Sequence, residues 1–224
     1  IFFWVARMIM ASLKFRNEIP FRDVYFTSIM RDSRGRKLSK SLGNSPDPLD
    51  VIARYGADAV RFTMIYLAPM GSDVRLDIDE KTQDIPSMEL GRNFGNKVWN
   101  ACRFLQLKQG EISSAADTGT ATYTLSTADR WISSRYNTTV KLATQALHDY
   151  RITEYSKILY DFIWRDFCDW YVEIVKVEFS QATSDSQRAA LLAHAFGIIE
   201  GTLTLLHPVM PFLTEELWHG LYGK

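Results

Sequence analysis

A run of small and polar residues divides this chain into two parts with different patterns. It covers residues 108–128, is rich in Gly, Ser, Thr and Ala, and reads KQGEISSAADTGTATYTLSTA. Such a composition is typical of a linker or surface loop. Beyond it, apolar residues recur at helical spacing almost to the end of the chain. The sequence therefore predicts a linker followed by a bundle of four or more helices.

Helix-breaking and helix-capping residues in the second part predict where these helices begin and end. Pro208 and Pro211 interrupt the pattern, because proline cannot continue the interior of a helix. Thr214 and the two glutamates after it are predicted to begin the last helix, with the threonine hydroxyl as N-cap. The predicted helices cover residues 128–148, 152–179, 185–206 and 212–222.

The first part mixes helix and strand signals. Residues 2–15 are predicted to form a buried or nearly buried helix, and residues 23–30 a short strand covered on both faces. Asp47 and Pro48 are a typical N-cap and first residue of a helix that Gly56 ends. Further predicted elements are a helix at 57–68, a short strand or an extended connector at 73–79, and a long helix at 84–107. The fold class is therefore mainly α: the end of an α/β domain, then an all-α bundle.

Composition restricts the partners and the compartment. The 26 basic and 26 acidic residues cancel, so a nucleic acid would have to be met by local patches. Cys102 and Cys168 lie far apart in apolar surroundings, which indicates buried thiols and a reducing cytoplasm. Since no run of about 18 uncharged apolar residues occurs, we expect no membrane span.

The stretch GRKLSKSLGNSPDP, residues 35–48, concentrates positive charge on a segment that can bend. Lys37 and Lys40 are compact, mobile cations, and Ser39 and Ser41 add hydroxyl groups between and beside them. Glycines at positions 35 and 43 allow backbone turns. These groups suit a polyphosphate whose charge grows as a bond breaks, and they include no general base or nucleophile. The alternative is a solvated basic turn without a ligand.

The surroundings of this turn resemble a known family. The stretch GRKLSKSLGNSPDPLDVIARYGADAVRF is similar to the signature loop and following helix of class I aminoacyl-tRNA synthetases, whose motif is usually Lys-Met-Ser-Lys-Ser. Leu38 replaces the methionine and conserves apolar volume. The resemblance implies that Lys37, Leu38, Ser39, Lys40 and Ser41 bind ATP. It also implies that Lys37 and Lys40 act catalytically by stabilising the pyrophosphate leaving group during amino-acid adenylation.

Other stretches resemble the valine, isoleucine and leucine subgroup of that family. FFWVARMIM is similar to the helix before its last Rossmann strand, and LLHPVMPFLTEELW to its anticodon-binding helical domain. GRNFGNKVWNACRFL favours the valine-specific members. The resemblance therefore implies ATP-dependent joining of valine to tRNA(Val), with Mg²⁺ accompanying ATP. We expect a cytoplasmic monomer with no membrane partner.

The resemblance also assigns parts of the chain. Residues 1–68 are expected to be the carboxy-terminal part of the Rossmann catalytic domain with the signature loop and stem-contact helices. Residues 69–127 are expected to be a connecting helix and linker, and residues 128–224 the anticodon-binding bundle. The family's other signature, His-Ile-Gly-His, is absent from this sequence. We therefore expect a carboxy-terminal fragment that cannot form an adenylate alone.

Two alternatives remain open at this point. One keeps the family but changes the amino acid to isoleucine or leucine. The other is a non-catalytic helical module that binds RNA or protein. Possible RNA contacts are the amide row Asn93, Asn96 and Asn100, which shares one helix face and could equally cap neighbouring helices. Four cations are further candidates, although a solvated helix face explains each of them better: Arg130, Arg135, Lys141 and Arg151.

Overall fold

The protein is described from a computed structural model that covers residues 3–68, 70–112 and 124–223. Helices dominate these residues, as predicted. They are α1 Trp4–Arg16, α2 Pro48–Tyr55, α3 Ala57–Leu67, α4 Glu89–Gly110, α5 Thr127–His148, α6 Ile152–Asp161, α7 Val172–Gln181, α8 Asp185–Leu206 and α9 Pro211–Tyr222. Of the predicted linker, residues 113–123 lie outside the described part of the chain.

The sheet in the described residues is smaller than predicted. Strand β1, Met30–Arg31, pairs in parallel with β2, Val74–Arg75. The Leu76 N–H donates to the Arg31 carbonyl at 2.8 Å and extends the ladder by one bond. The predicted strand over 23–30 is thus wrong for all but its last residue. The segment over 73–79 is mainly an extended connector.

The amino-terminal elements are exposed, and here the predicted burial is wrong. Helix α1 forms as predicted, but it contains no buried residue. Trp4 and Phe15 are 72% and 84% exposed, and Phe26 in the extended segment before β1 is 56% exposed. Apolar sequence favours burial only where another surface faces it. No element in the described residues covers these side chains.

Two hydrophobic cores organise the rest of the described chain. The smaller core lies among α2, the start of α3 and the connector from β2 to α4, and its buried members are Val51, Tyr55, Ala59, Val74, Leu76, Ile78, Ile85 and Met88. The larger core fills the helical bundle and begins at Phe62 of α3, which stacks on Phe94 of α4 at 4.5 Å between ring centroids. Helix α3 therefore contributes to both cores and connects them.

The predicted helix over 152–179 is continuous but changes its winding. A π-helical segment, Phe162–Tyr171, joins α6 to α7. The i, i+3, i+4 spacing of Phe167, Trp170 and Tyr171 predicts one buried face in an α-helix. Phe167 and Tyr171 are fully buried, whereas Trp170 is 63% exposed and contradicts that prediction. A π-helix has more residues per turn than an α-helix, so positions three apart no longer share a face.

Polar contacts join the start of α5 to the π-helical segment. Ser126 and Asp129 form a reciprocal capping box at the start of α5. The hydroxyl of Tyr171 donates to the same buried carboxylate at 2.7 Å.

Cys102 and Cys168 are buried free thiols, as predicted, and burial raises the pKa of each to about 12.

Helix α8 is long and apolar enough, by length and composition, to cross a membrane. In this fold it is a core helix instead. Eight of its residues are buried against the other helices: Leu191, Leu192, Ala195, Ile198, Ile199, Thr202, Leu203 and Leu206. A buried central helix passes the same composition test as a membrane span.

The start of the last helix corrects a prediction. Helix α9 begins at Pro211, so Thr214 lies inside it and its hydroxyl donates to the Met210 carbonyl at 2.8 Å. The cap comes from another helix. The carboxylate of Asp58 in α3 accepts the Leu213 N–H at 2.5 Å and the Phe212 N–H at 3.4 Å. This contact ties the start of α3 to the first turn of α9.

Candidate functional site

The lysine segment begins as a tight hairpin. The Asp32 N–H donates to the Arg36 carbonyl at 2.9 Å, and the Leu38 N–H donates to the Met30 carbonyl at 3.3 Å. Gly35 forms the turn with a positive φ of 79°, where a residue with a Cβ would be strained. The hairpin places Lys37 at the surface opposite Arg31, with which it forms an antiparallel bridge.

A single turn of 3₁₀ helix follows the hairpin. It spans Lys40–Leu42, and Ser39 occupies its N-cap position. The Ser39 and Ser41 hydroxyl groups lie 2.8 Å apart. Gly43 ends the turn with a φ of 67°, and its carbonyl accepts a hydrogen bond from the Gln83 side chain at 2.9 Å. We call residues 37–41 with their two flanking turns the lysine loop.

The two lysines differ from the other cations of this segment. Arg31 pairs with Asp73 at 2.5 Å, Arg36 with Asp32 at 2.7 Å, and Arg34 with Glu80 at 3.6 Å. Lys37 and Lys40 are exposed and form no ion pair with any described residue. Their charges are therefore free to meet an anionic ligand.

The Leu38 side chain anchors the loop between these two cations. It is half-buried and packs against the smaller core.

Helix α2 follows the loop as predicted, because Asp47 accepts the Leu49 N–H at 2.8 Å and Pro48 takes the first position. Gly56 ends this helix, as predicted. Asp84 binds both the Tyr55 hydroxyl, at 2.7 Å, and the Arg54 guanidinium, at 2.6 Å.

Sequence reasoning missed two buried residues below the loop, Asp32 and Asn44. They are 2% and 0% exposed, although almost every neighbouring side chain is at the surface. The amide of Asn44 donates to the Asp32 carboxylate at 2.9 Å. That bond and the contacts with Arg36 lower the pKa of Asp32 to about 2. A Gly-Asn pair after a turn gives no sign of burial, so the sequence offered no usable signal.

The amide row on α4 faces away from the cores. Asn93, Asn96 and Asn100 are exposed, and no hydrogen bond among the described residues joins their side chains to another helix. Beside them lies a groove of about 340 Å³, whose lining includes Arg92, Asn96, Trp99 and Phe212. Trp99 is 39% exposed and Phe212 is 65% exposed. Exposed aromatic rings, amides and a guanidinium are groups that commonly contact RNA. Contact between RNA and the amide row is therefore compatible with this surface and stays a prediction.

The four candidate cations of the bundle separate into two pairs. Arg135 binds Asp166 at 2.7 Å, and Arg151 binds Asp149 at 3.0 Å. Arg130 and Lys141 are exposed and lie on one face of α5, where they line a shallow depression with Ser134 and Asn137. The spacing of these four side chains, at 130, 134, 137 and 141, follows the helix period.

Two family models match separate parts of the chain. Residues 1–77 match the model of tRNA synthetases class I (I, L, M and V), and residues 129–224 match the model of the anticodon-binding domain of tRNA ligase. Among curated relatives, the chain is 48% identical over 99% of its length to the valine–tRNA ligase of Chlorobaculum tepidum. It is 46% identical over 97% of its length to that of Fusobacterium nucleatum. The chain spans about a quarter of the length of these relatives, at 25% and 24%.

Solved structures show the same fold at lower identity. One is Agrobacterium radiobacter LeuRS in a ternary complex with tRNA and LeuAMS, with a TM-score of 0.67 and 20% identity over 96% of this chain and 24% of that one. Another is Mycobacterium tuberculosis methionyl-tRNA synthetase in complex with methionyl-adenylate, with a TM-score of 0.69 and 19% identity over 93% of this chain and 40% of that one. These likenesses confirm the predicted fold class: a mainly α end of a catalytic domain followed by a helical bundle.

Proposed function

We propose that this chain, which belongs to the valine–tRNA ligase family of class I aminoacyl-tRNA synthetases, supplies the pyrophosphate-stabilising loop and part of the tRNA surface of an enzyme that joins valine to tRNA(Val). Valyl-adenylate is the intermediate of that reaction. Within the chain, residues 1–68 act with ATP, residues 69–127 connect, and residues 128–224 contact the anticodon stem.

The observation that carries the proposal is that the two cations of the lysine loop form no ion pair with any residue that the structure describes. Every arginine of the same hairpin is neutralised by a carboxylate, whereas Lys37 and Lys40 remain exposed. As the bond between the α- and β-phosphates breaks, negative charge accumulates on pyrophosphate. Ammonium groups that meet this charge stabilise the transition state more than the ground state. Ser39 and Ser41 add hydroxyl donors, and Leu38 anchors the loop.

ATP and Mg²⁺ enter this proposal as substrate and accompanying ion. The described residues contain no group of three His, Cys, Asp or Glu side chains that could hold a metal ion. Mg²⁺ is commonly held by substrate phosphates with few protein ligands. We infer that the lysine loop binds the nucleotide's phosphates directly and contributes no metal ligand.

The exposed amino-terminal face supports a role within a larger enzyme. Trp4, Phe15 and Phe26 present apolar surface that a soluble monomer rarely leaves uncovered. The curated relatives contain about three times as much additional chain. We propose a cytoplasmic, monomeric enzyme in which that additional chain covers this face and supplies the amino-acid pocket.

Binding of tRNA is the property that this chain can show by itself. We expect the chain to retain tRNA in a filter-binding assay, and to show no valine-dependent exchange of pyrophosphate into ATP. The double variant R130A/K141A should weaken tRNA binding. It should also make the slope of log K against log salt shallower by about 1.5, because each lost phosphate contact contributes about 0.7 to 0.9.

A distant pair of cations provides the matched control. Lys14 and Arg16 lie on the exposed surface of α1, and K14A/R16A should leave both the affinity and the salt slope unchanged. Equal losses in both double variants would indicate unspecific attraction and would contradict an RNA face on α5. Valine-dependent exchange by the chain alone would contradict the need for a pocket elsewhere. The isoleucine and leucine alternatives are not favoured, because the curated relatives reported above are valine–tRNA ligases.

A further inference from the structure

Asn44 and Asp32 form a buried polar pair under the lysine loop that the proposed chemistry does not use. Neither side chain can reach a ligand at the surface, since they are 0% and 2% exposed. Burying an amide and a carboxylate is costly unless hydrogen bonds replace those lost to water. The bonds that replace them show what the pair holds in place.

The Asp32 side chain binds the pair to the hairpin. The Asp32 carboxylate accepts hydrogen bonds from the Arg36 N–H at 2.8 Å and the Arg36 guanidinium at 2.7 Å. It accepts a third from the Asn44 amide at 2.9 Å. These donors keep the pKa of Asp32 near 2, so the carboxylate is ionised at every pH at which the protein would work. It is a permanent acceptor that orients the Asn44 amide.

The Asn44 side chain also binds the backbone between the two lysines. Its Oδ1 accepts the Ser39 N–H at 2.9 Å, and its Nδ2 also lies 3.4 Å from the Lys37 carbonyl. The side chain thus binds the backbone on both sides of Leu38. The amide carries an acceptor oxygen for Ser39 and, on a separate nitrogen, donors for Asp32 and the Lys37 carbonyl.

We propose that Asn44, oriented by Asp32, is a positioning residue that fixes the backbone between Lys37 and Lys40 so that both ammonium groups face the departing pyrophosphate. The inference rests on the proposed function of the lysine loop. Without this bond the Ser39 amide and the start of the 3₁₀ turn lose their anchor. The two cations would then have to be ordered by the substrate itself, at a cost in conformational entropy.

The first test measures the loop directly in this chain, without any activity. In N44A the amide of Ser39 should exchange its hydrogen about tenfold faster, the factor that one lost hydrogen bond gives. D47A provides a control. It removes the carboxylate that caps α2 through the Leu49 N–H and that forms no hydrogen bond with residues 37–41 among the described residues, so Ser39 exchange should stay unchanged. Unchanged exchange in N44A would overturn the proposal.

The second test uses a chimaeric ligase, in which this sequence replaces the matching quarter of the Chlorobaculum tepidum relative. N44A should lower kcat for valine-dependent pyrophosphate exchange about tenfold, with little change in KM for ATP, because the loop acts in the transition state. In N44D two carboxylates would meet, and the loss should be larger. Adding D32N restores one amide and one carboxylate, so the double variant should recover part of the N44D loss.

The outcomes separate this inference from the proposed function. If K40A is impaired while N44A keeps its full kcat, the lysines act on pyrophosphate but Asn44 does not position them. If K40A also keeps full activity, the role proposed for the loop fails, and the inference with it. If D32N/N44D is no better than N44D, the pair does not act through its complementary polarity, and the inference is overturned.

Discussion

Replacing Lys40 with alanine in the chimaeric ligase should lower kcat for valine-dependent pyrophosphate exchange by about 100- to 1000-fold. This is the loss typical of removing one preorganised group that stabilises developing charge. Lys40 begins the 3₁₀ turn and is exposed without an ion-pair partner among the described residues. The KM for ATP should change much less, since the charge that the ammonium group meets develops mainly in the transition state.

Two controls restrict this expectation to the pyrophosphate step. R34A removes another exposed cation of the same hairpin, and its loose pair with Glu80 at 3.6 Å makes it a matched control. It should change the rate by no more than about twofold, as for ordinary surface substitutions. With valyl-adenylate supplied chemically, K40A should transfer valine to tRNA at the normal rate, because no pyrophosphate leaves in that step. A normal exchange rate in K40A, or an equal loss in R34A, would contradict the assignment.

Local signals made the lysine loop predictable. Asp47 caps α2, Gly56 ends it, and the glycines at 35 and 43 take positive φ. Each of these features depends on residues within a few positions along the chain, so a sequence can specify it alone. The helices of the bundle were predictable for the same reason, with ends correct to within a few residues.

Features that depend on distant partners were not predictable. Whether α1 is buried depends on which surface packs against it, and the apolar composition of residues 2–15 does not indicate whether such a surface is present. The cap of α9 comes from Asp58, more than 150 positions away, while the predicted cap, Thr214, lies inside the helix. Asn44 resembles an ordinary turn residue until its burial is known. The part of the candidate site that holds the lysines was therefore found only in three dimensions.

Replacing Gly91 with alanine should lower the free energy of unfolding by about 3 kcal/mol, the upper range for overpacking a core. Gly91 lies in the first turn of α4, where the helix crosses α3. An added Cβ would lie 2.3 Å from the Ala59 carbonyl oxygen and 2.7 Å from the Thr63 hydroxyl. Thr63 also accepts the Gly91 N–H at 3.1 Å, so a shift that relieves the clash breaks this bond. A backbone oxygen cannot move aside without moving its whole helix.

Alanine substitutions at two other glycines should have smaller or opposite effects on stability. At Gly95 the new Cβ would meet the flexible ends of Met210 and Leu213 at 3.2 and 3.4 Å, so G95A should cost less than G91A. At Gly197, on the exposed side of α8, nothing lies within 4 Å, and G197A should stabilise by about 0.5–1 kcal/mol because alanine favours the helix. Urea denaturation midpoints measured at constant m value would rank the three variants.

The ranking also tests how the lysine loop is supported. Helix α3 carries Ala59 in the smaller core and Phe62 in the larger core, and it crosses α4 at Gly91. If that crossing sets the position of the loop relative to the bundle, G91A in the chimaeric ligase should reduce tRNA charging more than G95A does. Equal stability of G91A and G197A would show that the two helices can separate freely. The smaller core, with its loop, would then be only loosely coupled to the helical bundle.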